Sequence, residues 1–211
     1  MYLLTTKYNK ISRQSLIRGT ENIIIEGKAV IQSGAILRGD LAQVKMGQYV
    51  IIREDVVVRP TYTKNKKNQL VYVAMTIGDN VYIDRGSIIC ALKIGNFVNI
   101  GKNCVIGHRC ILRDNCKILD GSVLPPDTVV PPFTVYGGKP ATYIGELTET
   151  IGIIHKDHTT NFYKNFQGVD PRRQGGAAGT SSSQQQQVPA SSSQQPQSTA
   201  RALAQQEKQS Q

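Results

Sequence analysis

From Ile94 onward an aliphatic residue returns at every sixth position: Ile94, Ile100, Ile106, Leu112, Ile118, Leu124 and Val130. Four residues after each stands a small or β-branched one: Val98, Cys104, Cys110, Cys116, Ser122, Thr128 and Thr134. Neither the helical period of about 3.6 nor strand alternation of about 2 produces such a run. A period of six predicts short strands joined by tight corners, three hexads to a coil, stacked as a triangular parallel β-helix. The aliphatic residue fills the prism, the small one packs beside it, and Gly, Asn and Asp serve the corners.

The same period holds upstream, with breaks. Ile77, Ile83 and Ile89 keep it, and the following step to Ile94 is one residue short. Met46, Ile52 and Val58 form an earlier run, and residues 22–40 supply the first coils. Between Val58 and Ile77 lies an insertion, about 59–75, read as a loop leaving one corner. The chain thus divides into a lead-in (1–19), an all-β prism (20–141), a C-terminal helix (142–168) and a tail (169–211). The helix is expected to pack on the prism through Leu147, Ile151, Ile154, His158, Phe162 and Phe166, which fall at steps of three and four. The tail is rich in Ser and Gln and poor in large apolar residues, a composition that predicts disorder.

The 25 Lys and Arg against 15 Asp and Glu give a net charge of +10. This excess is scattered, with one concentration at Lys64, Lys66 and Lys67 and no repeated aromatic platform beside it. Such a distribution suits an acidic protein neighbour better than nucleic acid. No apolar run is long enough to cross a membrane and the start lacks a secretory pattern, so the expectation is a soluble intracellular protein with reduced cysteines.

Residues 104–116, CVIGHRCILRDNC, set three of the four cysteines around His108. The hexad register makes Cys104, Cys110 and Cys116 equivalent to Val, Ser and Thr elsewhere, pointing into one coil from three sides. A zinc site usually needs paired C-x2-C spacing, which is absent here. Small-residue packing is therefore the expected role of these thiols. His108 falls at a corner, where a general base is conceivable, but it stands in unbroken repeat. His155 and His158 fall on the helix.

The segments AILRGDLAQVKMGQYVIIREDVVV and TIGDNVYIDRGSIICALKIGNFVNIGKNCVIG resemble the γ-class carbonic anhydrase branch of the hexapeptide-repeat proteins. That resemblance implies a left-handed prism and a role for Arg38 and Asp40 in holding subunits together. It also implies a zinc ion on three histidines, at positions that hexad alignment puts at Arg59, Arg85 and Cys90. Arginine has only donors and cannot ligate zinc, so no metal or other cofactor is expected. Further segments, NKISRQS, ENIIIEGK, ILRGDLA, IGKNCVIGHRCILRDNCKILD and LPPDTVVPPFTVYGGKP, resemble the hexapeptide-repeat pointed-end subunits of dynactin across residues 9–168. This resemblance implies a non-catalytic scaffold in the cytoplasm. Its expected partners are a second hexapeptide-repeat subunit, an actin-related pointed-end protein and dynein cargo adaptors. The expected alternatives are a γ-class metalloenzyme and a hexapeptide acyltransferase using His108.

Overall fold

The computed structural model describes residues 1–167; the tail expected to be disordered lies outside the described residues. Short strands follow one another around three faces, and each pairs in parallel with the strand one coil above and below. This is the left-handed parallel β-helix of about six coils that the hexad period and its resemblances called for.

The first face runs through Lys10–Ser12, Val30–Ile31, Ile51–Ile52, Tyr82–Ile83, Asn99–Ile100, Lys117–Ile118 and Thr134–Gly138. Leu16–Arg18, Ile36–Arg38, Val57–Val58, Ile88–Ile89, Val105–Ile106 and Val123–Leu124 make the second. The third comprises Ile23–Gly27, Val44–Gln48, Met75–Ile77, Lys93–Ile94, Ile111–Leu112 and Val129–Val130.

The core is three internal columns of aliphatic side chains. Ile31, Ile52, Ile83, Ile100 and Ile118 stand in one, and Leu37, Val58, Ile89, Ile106 and Leu124 in the next. Met46, Ile77, Ile94, Leu112 and Val130 form the third. Virtually all of this surface is removed from water, at about 25 cal/mol per Å² of apolar area. The three cysteines stand at three successive corners of one coil, fully buried. Their neighbours explain the interchange with hydroxyl residues. Ser122 and Thr128 donate to the carbonyls of Leu119 and Pro125, and the thiols of Cys104 and Cys110 point at those same two oxygens.

The corners divide labour between residue types. Left-handed backbone recurs every six residues at Asn103, Arg109, Asn115, Gly121 and Asp127, a conformation that Asn and Asp tolerate best after glycine. The glycine that follows many inner aliphatics answers a different need. At Gly78 and Gly95 a Cβ would collide with the side chains of Asn96 and Asp114. Those oxygens accept from the backbone N–H of Asp79 (2.8 Å) and Asn96 (2.7 Å), tying coil to coil along the corner.

The boundaries differ from the sequence reading in three places. The prism begins near Lys10, because Lys10–Ser12 and Leu16–Arg18 already join the ladders. The insertion is a hairpin, Tyr62–Lys64 against Leu70–Tyr72, with its own antiparallel register. Its cross-strand tyrosines, Tyr62 and Tyr72, meet edge to face at 6.2 Å. After the last coil the chain turns back as Ala141–Glu146, antiparallel to Thr134–Gly138, and Tyr2–Leu4 caps the other end of that face in the same way. The helix spans only Ile151–Asn165.

That helix lies on the first face, turned from the orientation expected. His155 and Thr159 are buried, whereas Ile153 and Ile154 are 65% and 57% exposed. Close approach decides this. Gly152 faces Asn115 with no room for a Cβ, and Thr159 donates to Asn80 Oδ1 at 3.0 Å. Phe162, Tyr163 and Phe166 then cover Val30, Ile51 and Tyr82. Lys10 closes the helix C-terminus, donating to the carbonyls of Tyr163 (2.8 Å) and Phe166 (2.7 Å), where a cation is favoured.

Candidate functional site

The corner between the second and third faces, where the hairpin leaves, gathers most of the side chains that sequence reasoning singled out. Arg59 and Cys90 both follow inner residues of the second face, Val58 and Ile89, and stack in adjacent coils. Gly107 continues that column, so His108 lies beside it. Arg85 does not join them. It follows Asp84 at the corner between the first and second faces, largely exposed and 4.0 Å from that carboxylate.

The hairpin changes the surroundings expected for His108. Thr61 Oγ1 accepts from the Arg109 backbone N–H (3.1 Å) and lies 3.3 Å from His108 Nδ1. The Tyr62 ring lies tilted against the imidazole, with centroids 4.6 Å apart. Arg109 grips Asp127 through two 2.6 Å bonds and reaches the Tyr62 carbonyl at 3.3 Å. These contacts fasten the hairpin base to the prism. The histidine is therefore covered by a protruding element and not part of a bare repeat. Partial burial, followed by the nearby Arg59 and Arg109 charges, holds its pKa below the ordinary value, so it is neutral at pH 7.

Arg59 is the unusual member. Its Nη2 makes only a long 3.5 Å contact to the Tyr72 hydroxyl, and its Nε is buried with no partner. Beside it, burial raises the Cys90 thiol pKa while the guanidinium pulls it the other way. Three zinc ligands cannot be assembled from these residues. Arg59 and Arg85 offer donors only, and Arg85 sits at another corner. Among the described residues no three His, Cys, Asp or Glu side chains converge on a metal position.

Arg38 and Asp40, the expected interface pair, form a two-pronged ion pair with each other, at 2.7 and 2.8 Å. Each holds the other in its charged form. Lys64, Lys66 and Lys67 ride the exposed hairpin and make no ion pair among the described residues. Sequence reading missed Thr61, Tyr62 and Tyr72, because the hairpin was taken as a structureless loop. β-Branched and aromatic residues on both sides of the Asn65–Asn68 turn, Thr61–Thr63 and Val71–Val73, were the available signal.

A six-residue solenoid with a hairpin-covered corner defines a hexapeptide-repeat protein. Solved structures agree on that fold. An N-acyltransferase from Bacillus cereus, AntD, in complex with dTDP and 3-hydroxybutyryl-CoA, superposes with a TM-score of 0.59 at 16% identity, covering 74% of this chain and 89% of that one. A hexapeptide transferase family protein from Anaplasma phagocytophilum gives 0.56 at 21% identity over the same shares. Sequence places the chain more finely. The family described as Dynactin subunit 5 matches residues 1–171. The Dynactin subunit 5 of Dictyostelium discoideum is 47% identical over 174 residues, 82% of this chain and 87% of that protein. The chain belongs to the dynactin subunit 5 family.

Proposed function

We propose that the protein is a non-catalytic structural subunit of dynactin, seated at the pointed end of its actin-like filament. There it pairs with a second hexapeptide-repeat subunit beside an actin-related pointed-end protein and helps dynein engage cargo adaptors in microtubule-based transport. Its place is the cytoplasm and cytoskeleton, including the centrosome and kinetochore. The observation that carries this reading is the 47% identity to a Dynactin subunit 5 over 82% of this chain. The corner chemistry supports the non-catalytic part. Where γ-class enzymes would carry histidines, this chain offers Arg59, Arg85 and Cys90, which suit anionic or apolar contacts and not a divalent ion.

The test is recovery of the tagged full chain from cells. The reading expects dynactin subunits in stoichiometric amount, including actin-related proteins and another hexapeptide-repeat chain. Recovery as a homotrimer without them would overturn it, as would one tightly bound zinc per chain with hydration activity lost on chelation.

One observation favours a second reading, an acyltransferase with His108 as base: the neutral imidazole under the hairpin, against Thr61 and Tyr62. An acetyl-CoA-dependent turnover abolished by His108→Ala would establish it. No turnover in the purified assembly leaves the scaffold reading in place.

A further inference from the structure

The three faces share the same interior and differ on the outside. The residue preceding each inner aliphatic points outward. On the second face these form one ladder: Leu16, Ile36, Val57, Ile88, Val105 and Val123. All are aliphatic; Leu16 is 46%, Ile88 41% and Val105 37% exposed. Stacked at about 4.8 Å, the column is a flat apolar strip roughly 24 Å long. The third face breaks its outer column with Lys45, Thr76 and Lys93, as a solvated sheet does. On the first face Val30, Ile51 and Tyr82 lie under the helix, and the column is otherwise broken by Lys10, Asn99 and Lys117.

Beside the bare strip runs a row of arginines. Arg18 pairs in register with Arg38, and Arg59 follows Val58 as Arg38 follows Leu37. Asp40 satisfies Arg38 and lies near enough to Arg18 to feel its charge, but among the described residues neither Arg18 nor Arg59 forms an ion pair. The hairpin follows the same edge, with Tyr72 against Arg59, and carries Lys64, Lys66 and Lys67.

We propose that the second face is a docking surface for another protein, one presenting a flat aliphatic surface edged by carboxylates that pair with Arg59 and Arg18. This rests on the reading of the chain as a subunit of a larger assembly. A desolvated apolar strip with a guanidinium fork at its edge is the composition of an interface core and anchor. The Arg59 guanidinium makes only the long 3.5 Å contact to Tyr72 and no ion pair among the described residues, which leaves its fork in need of an acceptor. Charge argues against a second copy as occupant: it would bring the same Arg18 and Arg59, not carboxylates, to the edge of the strip.

The experiment uses the tagged full chain in cells, recovered with the dynactin subunits that accompany it, in four forms. These are wild type, Ile88→Lys, Arg59→Glu and the third-face control Lys93→Glu. A fifth form carries the photo-cross-linker benzoylphenylalanine in place of Val105. Ile88→Lys and Arg59→Glu are expected to cut recovery of the neighbouring subunit roughly tenfold or more, with Lys93→Glu near wild type. The Val105 cross-link is expected on an Asp- or Glu-containing peptide of a different chain. Should Ile88→Lys prove misfolded by circular dichroism, Arg59→Glu and the cross-link decide. Full recovery of the variants, or a cross-link to a second copy or to residues 168–211, overturns the proposal. Wild type that recovers no dynactin subunit overturns the subunit reading itself, and the proposal with it.

Discussion

The first and second faces are built on the same interior and finished in opposite ways. On the first, Val30, Ile51 and Tyr82 are sealed by Phe162, Tyr163 and Phe166 of the chain's own helix. Most of its polar groups are answered too, the buried Asn115 Oδ1 beneath Gly152 excepted. Arg53 bonds Gln32 (2.7 Å) and the Tyr82 hydroxyl (2.6 Å) while lying over Phe162, and Lys10 closes the helix end. On the second face Leu16, Ile88 and Val105 stay exposed, with Ile36, Val57 and Val123 half-buried between them, and Arg59 keeps a donor unanswered. The inner columns fix only that a prism forms. What each face meets is written in the outward residues, and the chain completes one face and leaves the other for a partner.

The sharpest way to break this comparison is to put the same charge at the same register on both faces. Ile51→Lys buries an ammonium beneath the helix, an uncompensated charge costing about 3–5 kcal/mol. Ile88→Lys places it on an open strip and should change the stability of the isolated chain by less than about 1 kcal/mol. Denaturant melts of the two variants measure the difference. Equal losses would mean that the second face is covered within the chain itself.

A smaller effect is expected at the polar seam under the helix. Thr159→Val keeps the shape but leaves the Asn80 side-chain oxygen without the 3.0 Å donor it has now. Orphaning a buried acceptor costs about 1–3 kcal/mol, and hydrogen exchange should rise across Ile151–Asn165 while the inner strands stay protected. A loss spread evenly over the coils would show that helix and prism unfold as one unit.

Much of this was legible because the hexad is strict. Ile100, Ile106 and Leu112 announce three faces by position alone, and Cys104, Cys110 and Cys116 fall in with them. The helix face was read only in part: Phe162 and Phe166 do pack on the prism, but hydrophobicity also pointed to Ile154, whereas Gly152 and Thr159 set how closely the backbone can approach Asn115 and Asn80. Steric clearance is not written in a hydrophobic pattern. The second face was readable but hidden. Its column appears only when the residue before every third inner aliphatic is lined up, and neighbours in that column are 17 to 31 positions apart in the chain. The corner cluster needed the hairpin, which brings Thr61 and Tyr62 to His108 across 47 and 46 residues of sequence.

Acid should loosen the first face selectively. Burial holds His155 below its ordinary pKa; the Lys117 and His158 charges add to this, and its bond to the Phe97 carbonyl (2.6 Å) opposes it. Burial also lowers His158, with Asp84 opposing and Arg53 adding. The unfolded chain takes up these protons near pH 6.5, about the free imidazole value, and the folded chain only at lower pH. Stability is thus full above that pH, falls as the pH drops through it, and levels once the folded-state values are passed. Thermal melts at successive pH values should show the decline, and His155→Gln should flatten it. An unchanged slope in that variant would assign the acid sensitivity to His158 on the same helix or to His108, whose pKa is lowered at the opposite corner.

The smallest expected effect is a rate, and it reads the second face directly. Cys90 shares the register position of Arg59 at the edge of the bare strip and keeps 8% of its surface in contact with solvent. Cys104, Cys110 and Cys116 are fully buried, and burial pushes the Cys116 thiol up to about 12. Thiolate, not thiol, attacks a disulfide reagent, so Cys90 should react first with a small aromatic disulfide in the isolated chain. Arg59 favours that thiolate, so Arg59→Gln should slow the reaction without exposing or hiding the sulfur. In the assembled complex Cys90 should be protected while the slow labelling of the three interior cysteines stays as it was. Protection of Cys90 already in the isolated chain would place a cover over the second face before any partner arrives. Equal labelling in both states would leave that face open in the assembly and remove its contrast with the helix-covered one.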